Sequence, residues 1–464
     1  MVRLFSHYVP SSALFQLLLD VLLLFISILL AFGLQYRGSV QDLELIAPSA
    51  LTFALVMMLL NSALGLYRGT TRFSTLQQKS VRVGLSLALS VPIAYWIFQV
   101  LPWRSLGQGP VELTVLVALG IVIAFRGFAT RAATVPFIAR RVLVIGTGEE
   151  ALAVQRSIEQ SGGPVMQVVG FYPVHAHAMD AIRVPADRIL ARTASIAATV
   201  RSTKADEVVV AVRERRGGAV PMGDLLECKL TGVRVFDLSS FFERTLGQVR
   251  VDSLRASWLI YGDGFRQGWV RSAIKRLFDI SVALALLTLA SPTMILTAIL
   301  IVIEDGFPIF YRQQRVGQGG RVFDVIKFRS MRKDAEKDGR PQWAAQNDDR
   351  VTRVGRIIRK LRIDELPQLW NVFRGEMSLV GPRPERPFFV EQLNQEIPFY
   401  AARHSVKPGV TGWAQVRYHY GASVNDAVEK LQYDLYYVKN HTLFLDIVVL
   451  LETVRVVLTG EGAQ

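Results

Sequence analysis

The chain has 464 residues, of which 51% are hydrophobic, with a mean hydropathy of +0.30 and a net charge of +14. That length admits two or three domains, and an apolar excess concentrated in discrete segments excludes an ordinary soluble protein. The single cysteine, Cys228, excludes an intramolecular disulfide, and Lys/Arg clusters beside long apolar segments suit anionic lipid headgroups and a phosphorylated substrate rather than nucleic acid.

Four apolar segments precede residue 135: Ala13 to Leu34, Ile46 to Tyr67, Val83 to Trp103 and about Val111 to Phe128. About 20 apolar residues span a bilayer as a helix, so the first three qualify. The fourth has a short uncharged core between Glu112 and Arg126 and needs snorkelling ends. The first segment is too long for a signal-peptide core and is expected to stay. Arg68, Arg72, Lys79 and Arg82 follow the second segment, and Arg126, Arg131, Arg140 and Arg141 surround the end of the fourth. The positive-inside rule then places both termini in the cytoplasm. Asp20, inside the first segment, is read as structural.

Arg141-Val142-Leu143-Val144-Ile145 reads as a buried parallel strand, and Gly146-Thr147-Gly148-Glu149-Glu150-Ala151 opens a helix after it. This strand–turn–helix context predicts a Rossmann-like α/β domain, with further strands at 165–171, 207–212 and 233–237. Gly146, Gly148 and Ala151 mark a candidate nucleotide site. Glu149 and Glu150 place negative charge where a pyrophosphate would sit, which favours a scaffold used for dimer contacts or spacing. Residues 241–270 read as a connector broken by Gly262, Gly264 and Gly268.

A fifth apolar run, Ile280 to Ile303, is long enough to cross a membrane, but both flanks are basic and Pro292 lies at its centre. Proline removes a helix hydrogen bond and kinks the helix, and Ser291 can satisfy a freed carbonyl. A kinked span and a re-entrant helix, covering 277–303, both fit this pattern. Next, Phe323 to Arg329 alternates like a short strand, which would put Lys327 and Arg329 on one face, able to neutralise a diphosphate. Residues 354–361 form a basic amphipathic helix suited to an anionic membrane.

Asp364 and Glu365 then precede Pro367, which fits only the first turn of a helix continued by Leu369, Trp370 and Phe373. A helix N-terminus favours phosphate, and paired carboxylates beside phosphate point to a divalent cation such as Mg2+. Arg362 and Arg383 bracket the pair with guanidinium groups. Gly381-Pro382-Arg383-Pro384 is a stiff turn presenting Arg383, with Glu385 adjoining. His404 reads as structural, Gly409 to Gln415 as a packed turn, and Leu443 to Leu458 as an interfacial or a core helix.

These motifs together closely resemble the bacterial sugar transferases, or monotopic phosphoglycosyl transferases. The resemblance runs from Lys275-Arg276-Leu277-Phe278-Asp279 through Ser291-Pro292, Phe310 to Gly317, Lys327 to Met331, Arg362 to Asn371 and Met377 to Pro384, and ends with Lys407 to Val416. It implies a multidomain membrane protein like the large exopolysaccharide-initiating members. The parts would be a four-helix transmembrane bundle (1–135), a Rossmann-like domain (136–240), the connector (241–270) and a mostly α-helical catalytic domain (271–464) with a re-entrant helix broken at Ser291-Pro292. The resemblance further implies transfer of a sugar 1-phosphate from a UDP-sugar to undecaprenyl phosphate at the bacterial inner membrane, on its cytoplasmic face, releasing UMP. Asp364 would be the nucleophile, Glu365 would help hold Mg2+, and Lys327, Arg329, Arg362, Arg383 and Glu385 would serve the phosphate and nucleotide. Membrane lipids are expected partners and a homodimer is left open. Two other readings are a glycosyltransferase that releases UDP and a nonenzymatic nucleotide sensor.

Overall fold

The computed structural model describes residues 2–4, 7–9, 11–36, 40–66, 76–100, 120, 139–160, 166–174, 182–191, 195–212, 221–251, 268–332, 350–418 and 423–459. The chain divides into two compact units, one comprising residues up to 246 apart from Phe5–His7, the other Phe5–His7 with Gly247–Gln464.

The first unit begins with helices α1 (Ser11–Tyr36), α2 (Val40–Ala63) and α3 (Leu76–Val100). Leu24, Ile28, Phe53, Met57 and Phe98 pack between them, while Phe15, Leu18, Leu30 and Trp96 face outward. Apolar residues inside and outside together are what a helix in lipid requires. Windows Leu14–Ala31 and Ile46–Ala63 are long and apolar enough to cross a bilayer, and α3 adds the shorter apolar stretch Arg82–Phe98. The fourth apolar segment expected at 111–128, the basic residues Arg68, Arg72, Arg126 and Arg131, and Gly262 and Gly264 of the connector lie outside the described residues.

The same unit contains a parallel sheet with strands β1 (Arg140–Ile145), β2 (Met166–Tyr172), β3 (Glu207–Val210) and β4 (Arg234–Asp237) in the order β2-β1-β3-β4. Helices α4 (Glu149–Gln160) and α7 (Leu238–Leu246) cover one face through Val154, Ile158, Phe241 and Phe242. Helices α5 (Ile196–Thr203) and α6 (Met222–Leu230) cover the other through Ile196, Val200 and Cys228. Strands buried on both faces read as continuous apolar runs, as Val142 to Ile145 does. The fully buried Glu207 is held by Arg140 at 3.1 Å, Arg234 at 2.7 Å and Arg244 at 3.1 Å.

The second unit opens on α8 (Trp269–Asp305), 37 residues with Pro292 inside. It is apolar enough to cross a bilayer and only 11% of its best window is buried. The antiparallel strands β5 (Phe310–Val316) and β6 (Val322–Phe328) follow. Then come α9 (Arg353–Lys360), a 3-10 turn at Ile363–Glu365, α10 (Gln368–Arg374), the short strand β7 (Ser378–Val380) and α11 (Pro387–Glu396). A 3-10 segment at Tyr400–Ser405, β8 (Gly409–Thr411), α12 (Trp413–Arg417), α13 (Val424–Asn440) and α14 (Leu443–Thr459) complete it. Leu369, Val372, Leu379, Trp413, Leu435, Tyr436, Leu445 and Val449 share its core. Helix α14 therefore packs as a core helix on one face, with Val454 and Val457 exposed on the other.

Candidate active site

The Ile363–Glu365 turn is fixed from behind. Thr352 caps α9, its Oγ1 accepting from Gly355 N at 2.8 Å. Ile363 packs against a cluster of Ile301, Phe328 and Ile358, while Leu366 and Leu369 join the main core. Arg362 takes a left-handed backbone, φ 57°, a strained state for a side-chain-bearing residue. The chain thus reverses sharply between two buried anchors, and Asp364 and Glu365 sit on the bend. Pro367 precedes α10 directly, at the helix start expected from sequence.

Strand β6 brings Lys327 to this bend. Its register is locked by Asn371, which is fully buried. Asn371 Oδ1 accepts from Ile326 N at 3.1 Å, and Nδ2 donates to Asp324 O at 2.8 Å and to Glu376 Oε2 at 2.7 Å. Arg383 arrives from the turn after β7. Glu365 Oε1 then lies 3.0 Å from Arg383 Nη2, 3.2 Å from Lys327 Nζ and 3.8 Å from Arg362 Nη1. Five of the residues singled out in the sequence, Asp364, Glu365, Lys327, Arg362 and Arg383, therefore meet in one cluster.

The two carboxylates are tuned apart. Burial alone would raise the Glu365 carboxyl, but Arg383, Lys327 and Arg362 carry it well below the usual carboxylate range. Asp364 moves upward instead, through burial first and then the charge of Glu365, against the pull of Lys327, Arg362 and Arg359. Burial also lowers Lys327, with Glu365 opposing. Asp364 is 9% exposed, and its Oδ1 has no hydrogen-bond partner among the described residues. A buried acceptor left open beside cations is the expected state of a group that acts on a ligand rather than on the fold.

Arg329 does not join the cluster. Its Nη2 donates to the carbonyls of Asp305 at 3.0 Å and Gly306 at 2.6 Å, and it pairs with the Asp305 carboxylate at 3.1 Å. Strand β6 ends at Phe328, so the alternation that would align Lys327 with Arg329 stops one residue short. Glu385 pairs with Arg315 at 3.5 Å beyond the turn.

A profile of the bacterial sugar transferase family matches residues 270–460. The chain is 42% identical over 195 residues to an uncharacterized sugar transferase, EpsL, of Bacillus subtilis (strain 168), covering 90% of that protein and 41% of this one. The chain belongs to the bacterial sugar transferase family. It is also 45% identical over 240 residues to a UDP-N-acetylgalactosamine-undecaprenyl-phosphate N-acetylgalactosaminephosphotransferase of Aeromonas hydrophila, over 52% of this chain and 56% of that one. It is 41% identical over 189 residues to a UDP-glucose:undecaprenyl-phosphate glucose-1-phosphate transferase of Escherichia coli (strain K12), over 40% of each chain. The matched stretch thus spans about half the length of these last two relatives.

Other residues singled out in the sequence make packing contacts. In the sheet domain, Gly146 has φ +121° and a Cβ there would meet Ala211 O at 2.5 Å, so the glycine serves a close strand contact. Ala151 is buried in the same core, and the Gly148 carbonyl accepts from Leu152 N at 3.1 Å inside the helix start. In α8, Ser291 Oγ donates to Thr288 O at 2.8 Å, the carbonyl that Pro292 cannot serve. Among the described residues, no group of three or more His, Cys, Asp or Glu side chains could hold a metal ion. Asn371, Arg315 and Arg403 were not apparent from sequence, because each acts on backbone far away in the chain. The available signals were motif membership: Arg315 lies inside Phe310 to Gly317 and Asn371 closes Arg362 to Asn371.

Proposed function

We propose that this sugar transferase moves a sugar 1-phosphate from a UDP-sugar to a polyprenyl phosphate, undecaprenyl phosphate in bacteria, and releases UMP. The observation that carries the reading is Asp364: a buried carboxylate with one open oxygen, next to a cluster of Lys327, Arg362 and Arg383, within the family's matched region. In the first step an Asp364 oxygen attacks the β-phosphorus, the bond to the bridging oxygen breaks, and UMP leaves with that oxygen. In the second step a phosphate oxygen of the polyprenyl phosphate attacks the same phosphorus and expels Asp364. Lys327, Arg362 and Arg383 offset the charge repulsion that would otherwise keep a carboxylate from a diphosphate.

Asp364 also suits a divalent ion such as Mg2+, which binds through one or two carboxylates plus substrate phosphates. Such an ion would neutralise the diphosphate. Glu365 fits the ligand role less well, because its Oε1 already faces three cations. Its place in this reading is to hold those cations around Asp364.

The reading extends to the membrane. Helix α8 is anchored at both ends on one unit. Arg276 donates to Val372 O at 2.6 Å and Phe373 O at 2.7 Å, and Glu304 accepts from Arg353 N at 2.7 Å and Val354 N at 2.9 Å. If α8 crossed the bilayer, the stretch 353–374, carrying Arg353, Arg356, Arg359, Lys360, Arg362 and Arg374, would have to cross too, at a prohibitive cost. This supports a re-entrant α8 broken at Ser291-Pro292, and a UDP-sugar donor would call for Asp364 on the cytoplasmic face of the inner membrane.

The test is purified protein with undecaprenyl phosphate, Mg2+ and a panel of UDP-glucose, UDP-galactose and UDP-N-acetylgalactosamine, beside Asp364→Asn. UMP release that Asp364→Asn abolishes is expected. Release of UDP would overturn the reading in favour of a glycosyltransferase.

A further inference from the structure

The turn that carries Arg383 has almost no hydrogen-bonding capacity of its own to hold it. Pro382 and Pro384 lack N–H groups and have fixed φ, and each proline pushes its predecessor toward extended backbone. The carbonyls of the turn must be satisfied from outside. Pro382 O accepts from Gly409 N at 3.0 Å and Glu385 O from Val316 N at 2.9 Å. Pro384 O accepts from Arg315 Nη1 at 3.0 Å. Arg383 O accepts from Arg403 Nη2 at 3.0 Å.

Arg403 is the buried member of this set. It is 5% exposed and pairs at 2.7 Å with Asp434 of α13, itself 2% exposed. Its Nη1 donates to Tyr400 OH at 2.6 Å. On the other side of the turn, Tyr437 of α13 donates to Val380 O at 2.9 Å. One helix thus grips both flanks of the turn. A buried ion pair is a poor stabiliser, because desolvation offsets most of its Coulomb gain and a well-packed apolar pair of the same volume is often as stable or better. What it supplies is a fixed direction for a single donor.

We propose that Arg403, held by Asp434, is a positioning residue: it fixes the Arg383 carbonyl, and through it aims the Arg383 guanidinium at Glu365 and the substrate diphosphate. This rests on the placement of Arg383 in the nucleotide-sugar site. Arg403 touches no reacting atom, so its effect must pass through Arg383. One guanidinium thus sets the backbone of another, which couples the two residues.

The experiment is a double-mutant cycle read by UDP affinity. The full-length protein in detergent is titrated with UDP as wild type, Arg403→Gln, Arg383→Ala and the pair, with thermal midpoints recorded beside each Kd. Arg403→Gln is expected to weaken UDP about tenfold, the size of effect a small misplacement of a binding group produces. In the Arg383→Ala background the same change should cost less than about twofold, since coupled residues are non-additive. Arg403→Lys keeps the charge beside Asp434 but loses the forked geometry. It covers the case in which Arg403→Gln fails to fold, and should weaken UDP in the Arg383 background only. Equal losses in both backgrounds would overturn the proposal and leave Arg403 as packing. Unchanged UDP binding by Arg383→Ala would overturn it as well, by removing Arg383 from the site. Phospho-sugar transfer can fail independently: a protein that binds UDP with the expected coupling but releases no UMP would sink the proposed reaction and leave the positioning role standing.

Discussion

At the residue scale, the two adjacent carboxylates divide the work. Glu365 stays ionised because three cations surround it, and its charge in turn pushes Asp364 upward. An Asp364 nucleophile must be deprotonated, so the raised carboxyl sets the acidic limb of the rate profile: activity is full at higher pH and falls as pH drops through the Asp364 pKa. Glu365→Gln removes the negative neighbour and releases the cations, and both effects favour ionised Asp364. Whatever turnover survives should therefore show an acidic limb at lower pH than wild type, in kcat/KM measured from pH 4 to 8. A limb that stays or moves upward would mean that a different group controls it. The position of these two carboxylates was legible in sequence because Pro367, directly before α10, fixes the helix start locally. Arg329 lies apart from that cluster for an equally local reason, since alternation says which face of a strand a residue takes but not where the strand ends. Arg403 and Asp434 left no trace because a buried partner distant in sequence imposes no period on its neighbours.

At the element scale, the Lys407 to Val416 motif explains itself as scaffolding. Strand β8 lies parallel to β7, and Gly381 passes so close that an added Cβ would collide with Lys407 O and meet Gly409 N at 2.8 Å. Gly381→Ala is expected to cost about 2–4 kcal/mol, because both opposing atoms are backbone and the core cannot yield. A thermal melt of the full-length variant checks this, and an unchanged midpoint would show that the crossing can open. Helix α8 carries the second expectation. With Cys228→Ser as background, Trp269→Cys and Phe307→Cys place thiols at exposed positions near its two ends. A re-entrant helix predicts that a membrane-impermeant maleimide labels both from the cytoplasmic side, in inside-out vesicles. A spanning helix would leave one of them unlabelled. Sequence alone left both forms open here, because a Ser-Pro kink satisfies the backbone equally well in either. The anchors at Arg276 and Glu304 that argue for re-entrance are tertiary contacts with no local signature.

At the scale of the whole molecule, His7 belongs to the unit that otherwise runs from Gly247 to Gln464. His7 is buried there, its Nδ1 2.6 Å from Tyr436 OH and its ring edge-on to Trp413 at 5.4 Å. Burial first, and then Arg417, lower its pKa from 6.5 to about 4. His441, equally buried between α13 and α14, is lowered to about 4 by burial, with Lys275 and Arg271 adding to it against a backbone hydrogen bond to Val438. For a group whose folded pKa lies below its unfolded one, the unfolded chain takes up the proton first as pH falls. The stabilising contribution is therefore complete above about pH 6.5 and is lost as pH falls through 4. Each such histidine accounts for on the order of 3 kcal/mol across that window. The thermal midpoint of the full-length protein should fall steeply between pH 6.5 and 4, and less steeply in His7→Gln, which cannot charge. A parallel slope in His7→Gln would mean that the N-terminal segment is not held in the catalytic unit.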